Sequence, residues 1–65
     1  MKIKLQTRDG SKLPWQDVQT AEYTAGSELS LAKALEYLLK CRDGWIDSGH
    51  FPATAAWRIA PAGQI

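Results

Sequence analysis

The sequence predicts an α+β domain: a small antiparallel three-stranded sheet packed on one α-helix, in the order β-β-α-β. Three patterns carry that expectation. Apolar and charged residues alternate over Met1–Arg8, apolar residues recur at three- and four-residue spacing through Ser30–Arg42, and a short alternating run occupies Thr54–Ala60. The first and third have the period of a half-buried strand, and the second has the period of an amphipathic helix.

In the first strand Met1, Ile3, Leu5 and Thr7 share one side, and Lys2, Lys4, Gln6 and Arg8 share the other. Asp9-Gly10 follows, a strong short-range hairpin signal in which glycine supplies positive φ. The return strand is expected within Leu13–Thr24. Trp15 and Tyr23 have one parity and Val18 the other, which a bulge or break near Gln16-Asp17 would reconcile. Pro14 lacks a donor, so it suits a strand start, an edge, or the first position of a short helical turn.

Ala25-Gly26 breaks the pattern before the helix. Ser27 and Ser30 are both N-cap candidates, and Glu28 complements the positive pole. Leu31, Ala34, Leu35, Leu38 and Cys41 form the apolar stripe, with Ala32 and Leu39 on its flank. Glu36 and Lys40 are spaced for an ion pair on the polar face, Lys40 and Arg42 approach the negative pole, and Gly44 stands where a left-handed stop is wanted. Trp45–Pro52 is then expected as a loop. In the last strand Ala55, Trp57 and Ile59 face one way and Ala56, Arg58 and Ala60 the other, Pro61 ends it, and Ala62–Ile65 is expected to fray. This strand is expected beside the first.

The chain has 65 residues and reads as a single small domain, 1–65. Met1 heads an already patterned segment, so the expectation is a complete gene product. A domain of this size buries only about 60% of its unfolded surface, so its margin of stability is slim. Cys41 is the only cysteine, which excludes an intrachain disulfide and points to a reducing, cytoplasmic setting. No apolar run is long enough to span a membrane, so no membrane partner is expected. Net charge is only +1, but Lys2, Lys4, Arg8 and Lys12 crowd the first twelve residues against Asp9 alone.

The residues that could carry chemistry are few. Cys41 with His50 could form a nucleophile–base pair, but Cys41 lies on the apolar flank, where free cysteine usually packs as a small hydrophobe. Asp47-Ser48-Gly49-His50 contains the residue types of a hydrolase triad, yet triad members converge from separated parts of a fold. Asp43, Asp47 and His50 lack the defined geometry of a metal site, and the sequence has no glycine-rich phosphate loop. The expectation is therefore a non-enzyme with no cofactor, no metal and no catalytic residue.

Binding is the stronger reading. Three tryptophans are many for this length. Trp57 and Trp45 are expected to supply core area, whereas Trp15, beside Pro14 and Asp17, and Tyr23 are candidates for an interface. Trp45, His50 and Phe51 form a second candidate contact loop. Lys2, Lys4, Arg8, Lys12 and Arg58 could form a basic patch for nucleic acid, but no aromatic is expected among them on that face to stack a base. The partner ranking is a larger protein first, a second copy of the chain next, and nucleic acid below both. The combination of short chain, no disulfide, no catalytic set and one sheet-plus-helix domain is similar in style to accessory proteins of phages and mobile elements. That similarity implies an inhibitor or modulator that binds a larger host or defence-system protein stoichiometrically.

Overall fold

The computed structural model describes residues 1–62. Its elements are β1 (Lys2–Arg8), β2 (Gln16–Glu22), α1 (Glu28–Asp47) and β3 (Ala56–Pro61). All pairings are antiparallel and the sheet order is β2-β1-β3, so the most regularly alternating segment is the central strand. This is the α+β arrangement that the sequence predicts.

The inner side of β1 carries Ile3, Leu5 and Thr7, all buried. With Ala34 and Leu38 of the helix, Ile3 and Leu5 form the core, and Val18, Ala21, Tyr23, Leu31, Leu35, Trp45, Trp57 and Ile59 pack around it. The parity conflict in β2 is resolved by a bulge. Leu5 pairs with Gln19 but Gln6 with Asp17, leaving Val18 as the extra residue, packed against the core.

The connection from β1 to β2 is longer than a tight hairpin. It occupies the seven residues Asp9–Trp15, with Gly10 at φ +102° and the Leu13 N–H donating to the Gly10 carbonyl at 3.3 Å. β2 is correspondingly shorter than Leu13–Thr24. Pro14 has no donor for the ladder, and Leu13–Trp15 leave the strand direction instead of extending it.

The helix exceeds Ser30–Arg42 at both ends. Ser27 is the N-cap, its Oγ accepting from the Ser30 N–H at 3.2 Å, while the Ser30 Oγ accepts from the Thr24 N–H at 2.9 Å. Gly44 is not the stop but lies inside the helix. Gly44 costs about 1 kcal/mol in a helix interior, which the further turn of stripe bearing Trp45 offsets. The end is set by Ser48 and Gly49: the Gly49 N–H donates to Ile46 O at 3.1 Å and the His50 N–H to Trp45 O at 3.0 Å, with Gly49 at φ +81°. Trp45 is thus helical, the loop is confined to Ser48–Ala55, and no basic residue occupies the last turn, so Lys40 and Arg42 lie too far from the end to serve it. The Glu36–Lys40 pair is present at 3.1 Å.

These two glycines predict opposite signs. A Cβ at either position meets nothing within 4 Å, so only backbone conformation decides. Gly49→Ala is expected to lose about 1 kcal/mol to left-handed strain. Gly44→Ala is expected to gain a similar ~1 kcal/mol from helix propensity. Thermal melts followed by circular dichroism check both.

In β3, Trp57 and Ile59 face the core side and Arg58 the outer side, as the alternation requires. The strand starts at Ala56 because the Ala55 N–H turns back to the Pro52 carbonyl at 3.0 Å. Pro61 is its last residue, and the Ala62 N–H still donates to Lys2 O at 3.1 Å. Ala62 is therefore tied to β1, and the remainder of the expected frayed tail lies outside the described residues. Phe51 stands edge-on between Trp45 and Trp57, with centroids 6.1 and 5.1 Å away. The helix backbone approaches β2 and β1 but not β3. The molecule is a slab of 34 × 26 × 12 Å, with the helix on one side of the sheet and, among the described residues, no second layer on the other.

Candidate functional site on the outer sheet face

The outer face presents Lys2, Lys4, Gln6 and Arg8 from β1, flanked by Asp17 and Glu22 of β2 and by Arg58 of β3. These side chains are knitted together rather than separately solvated. Lys2 approaches Glu22 at 3.8 Å and Lys4 approaches Asp17 at 3.4 Å. The Gln6 Nε2 donates to Asp17 Oδ1 at 2.6 Å, and its Oε1 accepts from Arg58 Nε at 2.7 Å. Gln6 therefore joins both outer strands across the central one, and it is only 5% exposed although it points away from the helix.

Trp15 is part of that cover. The Arg58 Cζ lies 4.3 Å and the Arg8 Cζ 4.4 Å from its ring centroid. Each such contact is worth about 0.5–1 kcal/mol at a partly exposed site. This corrects the expectation that no aromatic stands among the basic residues of this face. Trp15 lies outside the strands, so alternation gives it no side. The seven-residue connection delivers it.

The charge on the face is uneven as a result. Lys2 and Lys4 are paired with carboxylates, whereas neither Arg8 nor Arg58 has one within 4.0 Å among the described residues. The uncompensated positive charge is concentrated where the end of β1 meets the start of β3. Asp17 is held below its ordinary carboxylate value first by the hydrogen bond from Gln6. Partial burial opposes this, and Lys4 adds a smaller lowering. A depressed carboxylate stabilises the fold above its unfolded value and loses that contribution as pH falls through the folded value. Stability is thus expected to drop as pH is lowered below about 4, with a shallower drop in Asp17→Asn. Urea midpoints across that range measure the difference.

The remaining candidates are dispersed. Lys12 is exposed on the connection that carries Trp15. Tyr23 is half-buried against the core, its hydroxyl donating to Met1 Sδ at 3.7 Å and its carbonyl accepting from the N-terminal ammonium at 2.9 Å. Trp45 lies in the last turn of the helix and Phe51 in the Ser48–Ala55 loop, and both are half-buried, ring against ring in the aromatic row. His50 is exposed, its Nδ1 2.6 Å from Ser48 Oγ. Sequence reasoning missed Gln6 and Asp17. Their shared feature is position opposite each other across β1 and β2, which only the bulged register defines.

Cys41 is half-buried beside Tyr37, whose phenol is raised first by a hydrogen bond with the thiol, then by its charge and by burial. The helix does cross Asp43 and Asp47, contrary to the loop expected there. Asp43 instead takes Arg42 at 3.0 Å, and no group of three metal-ligating side chains occurs among the described residues. A recess of about 110 Å³ between the two connections, lined by Arg8, Leu13, Pro14, Phe51 and Pro52, is small beside ligand pockets of roughly 300–1,000 Å³. Comparison with known protein families, curated proteins and solved structures finds no match for the chain.

Proposed function

We propose that the chain is a non-enzymatic protein-binding module whose outer sheet face docks an acidic surface of a larger protein. The observation that carries this reading is the Arg8–Trp15–Arg58 contact. Among the described residues, two guanidiniums with no carboxylate within 4.0 Å flank a half-buried tryptophan on a face that no second layer covers. Arginine and tryptophan are the residues most often found at the energetic centre of interfaces. Ring contact and the bond from Arg58 to Gln6 also hold the two arginines in place before binding, which lowers the entropy lost on association. On this reading the chain acts in the cytoplasm as a phage or mobile-element accessory protein. It modulates or inhibits a host or defence-system protein by occupying it stoichiometrically.

Co-purification of the tagged chain from a bacterial lysate tests the reading, with the Arg8→Glu/Arg58→Glu double variant as control. A larger protein is expected in stoichiometric amount, released by salt and absent with the variant. Nucleic acid recovered in place of protein, or a protein retained equally by the double variant, overturns the reading.

A further inference from the structure

We infer that the open edge of β3 accepts an extended segment of the partner as a fourth strand, one whose residues alternate between acidic and apolar. The inference deepens the proposed function and rests on it. The backbone pairing determines which groups are free. Met1 exchanges bonds with Tyr23 on the β2 side, and Lys2 accepts from Ala62 on the β3 side. Odd residues of β1 therefore bond toward β2 and even residues toward β3. In β3 the partners of Lys4, Gln6 and Arg8 are Ala60, Arg58 and Ala56, so the N–H and C=O of Trp57 and Ile59 point away from the sheet. Unpaired edge groups of this kind template the addition of a strand.

The opposite edge is partly occupied. In β2 the outward N–H of Thr20 is taken by the Gln19 side chain at 3.0 Å, Val18 bulges, and Asp17 and Glu22 add negative charge. Pro61 faces the same way as Trp57 and Ile59 and has no N–H, so the β3 edge is available over Trp57–Ile59, where no side chain among the described residues takes an outward group.

The flanking side chains select the occupant. On the outer face an added strand lies next to Arg58, which is exposed and lacks a carboxylate among the described residues. Acidic residues facing that way would complete its charge. On the inner face the helix backbone does not approach β3, and Trp57 and Ile59, packed at the margin of the core with Phe51 against Trp57, are only half-buried. The Tyr37 hydroxyl reaches Gln19 of β2 at 3.2 Å, so the opposite flank of the helix, with Leu35 and the 39%-exposed Leu39, lies on the β3 side. Apolar residues of the added strand would enter there. A second copy paired with Trp57 opposite Ile59 sets Arg58 directly against its own counterpart, and like charges in that position destabilise a strand pair.

Backbone amide NMR with hydrogen exchange tests the inference on the full chain, with a short end-blocked peptide of alternating valine and glutamate as probe. Slowed exchange is expected at Trp57 and Ile59 and not at Thr20. The valine–lysine counterpart is expected not to bind, and Arg58→Glu is expected to weaken binding roughly tenfold. Shifts at Arg8, Trp15 and Arg58 with exchange unchanged at Trp57 and Ile59 would overturn strand addition and leave the docking face standing. Concentration-dependent protection of Trp57 and Ile59 without peptide would replace the assigned occupant by a second copy. Binding of a single-stranded oligonucleotide but not of the peptide would overturn both the edge and the protein-binding reading, and no response to any probe at millimolar concentration would overturn the edge.

Discussion

Leu38→Ala is expected to unfold a large fraction of the protein at physiological temperature. Leu38 has no exposed surface, and it meets Ile3 and Leu5 from across the sheet–helix interface. Truncation of a fully buried leucine costs about 3–5 kcal/mol through lost transfer energy and the cavity left behind. A core of this size rarely supplies more than roughly 3–5 kcal/mol in total. The two quantities are comparable, so one methyl-bearing branch carries the margin. Alanine at Leu29, which is 69% exposed on the same helix, is expected to change stability by less than about 0.5 kcal/mol. Urea unfolding followed by far-ultraviolet circular dichroism separates the two variants; equal stability of both would contradict the core assigned here.

Trp15→Ala is expected to produce the largest loss of binding. The ring carries Arg8 and Arg58 on the outer face beside the nearly buried Gln6. Removing it costs about 1–2 kcal/mol of stability through two cation–π contacts. It also releases both guanidiniums, so ordering them is left to the binding step. An interface centre of this composition loses at least about 2 kcal/mol on truncation, or roughly 30-fold in affinity. Trp15→Phe keeps a ring under both arginines and is expected to retain most of the affinity. Calorimetric titration against the co-purified partner, beside a urea titration of each variant, distinguishes a binding loss from a folding loss. Equal affinities for native chain and Trp15→Ala would remove the ring from the interface.

What was legible in the sequence is what repeats locally. Alternation over Met1–Arg8 identified the central strand and its buried side, because a side-chain period of two admits no other assignment for seven residues. Three- and four-residue spacing identified the helix and its packed stripe for the same reason. The mismatch of Val18 with Tyr23 was itself informative, since an extra residue reverses parity within a strand.

Helix length was less legible. Gly44 and Gly49 are both plausible stops by local chemistry, and the choice fell on Gly49 because Trp45 has a place in the aromatic row with Phe51 and Trp57. That place exists only once β3 returns beside β1. The outer face was least legible. Its basic residues stood in plain alternation, but Trp15 joins them through a connection that has no period. Gln6 and Asp17 meet only in the bulged register, and Arg58 reaches Gln6 from a strand fifty-two positions away.

The sequence by itself therefore determined the class of fold, the order of its elements and which side of β1, α1 and β3 faces the core, because burial of apolar surface acts residue by residue through the periods of strand and helix. Tertiary structure alone decided where the helix ends, which arginines are left without carboxylates, and that Trp15 joins them. Those outcomes depend on pairings between distant segments, and no local pattern encodes a distance across the sheet.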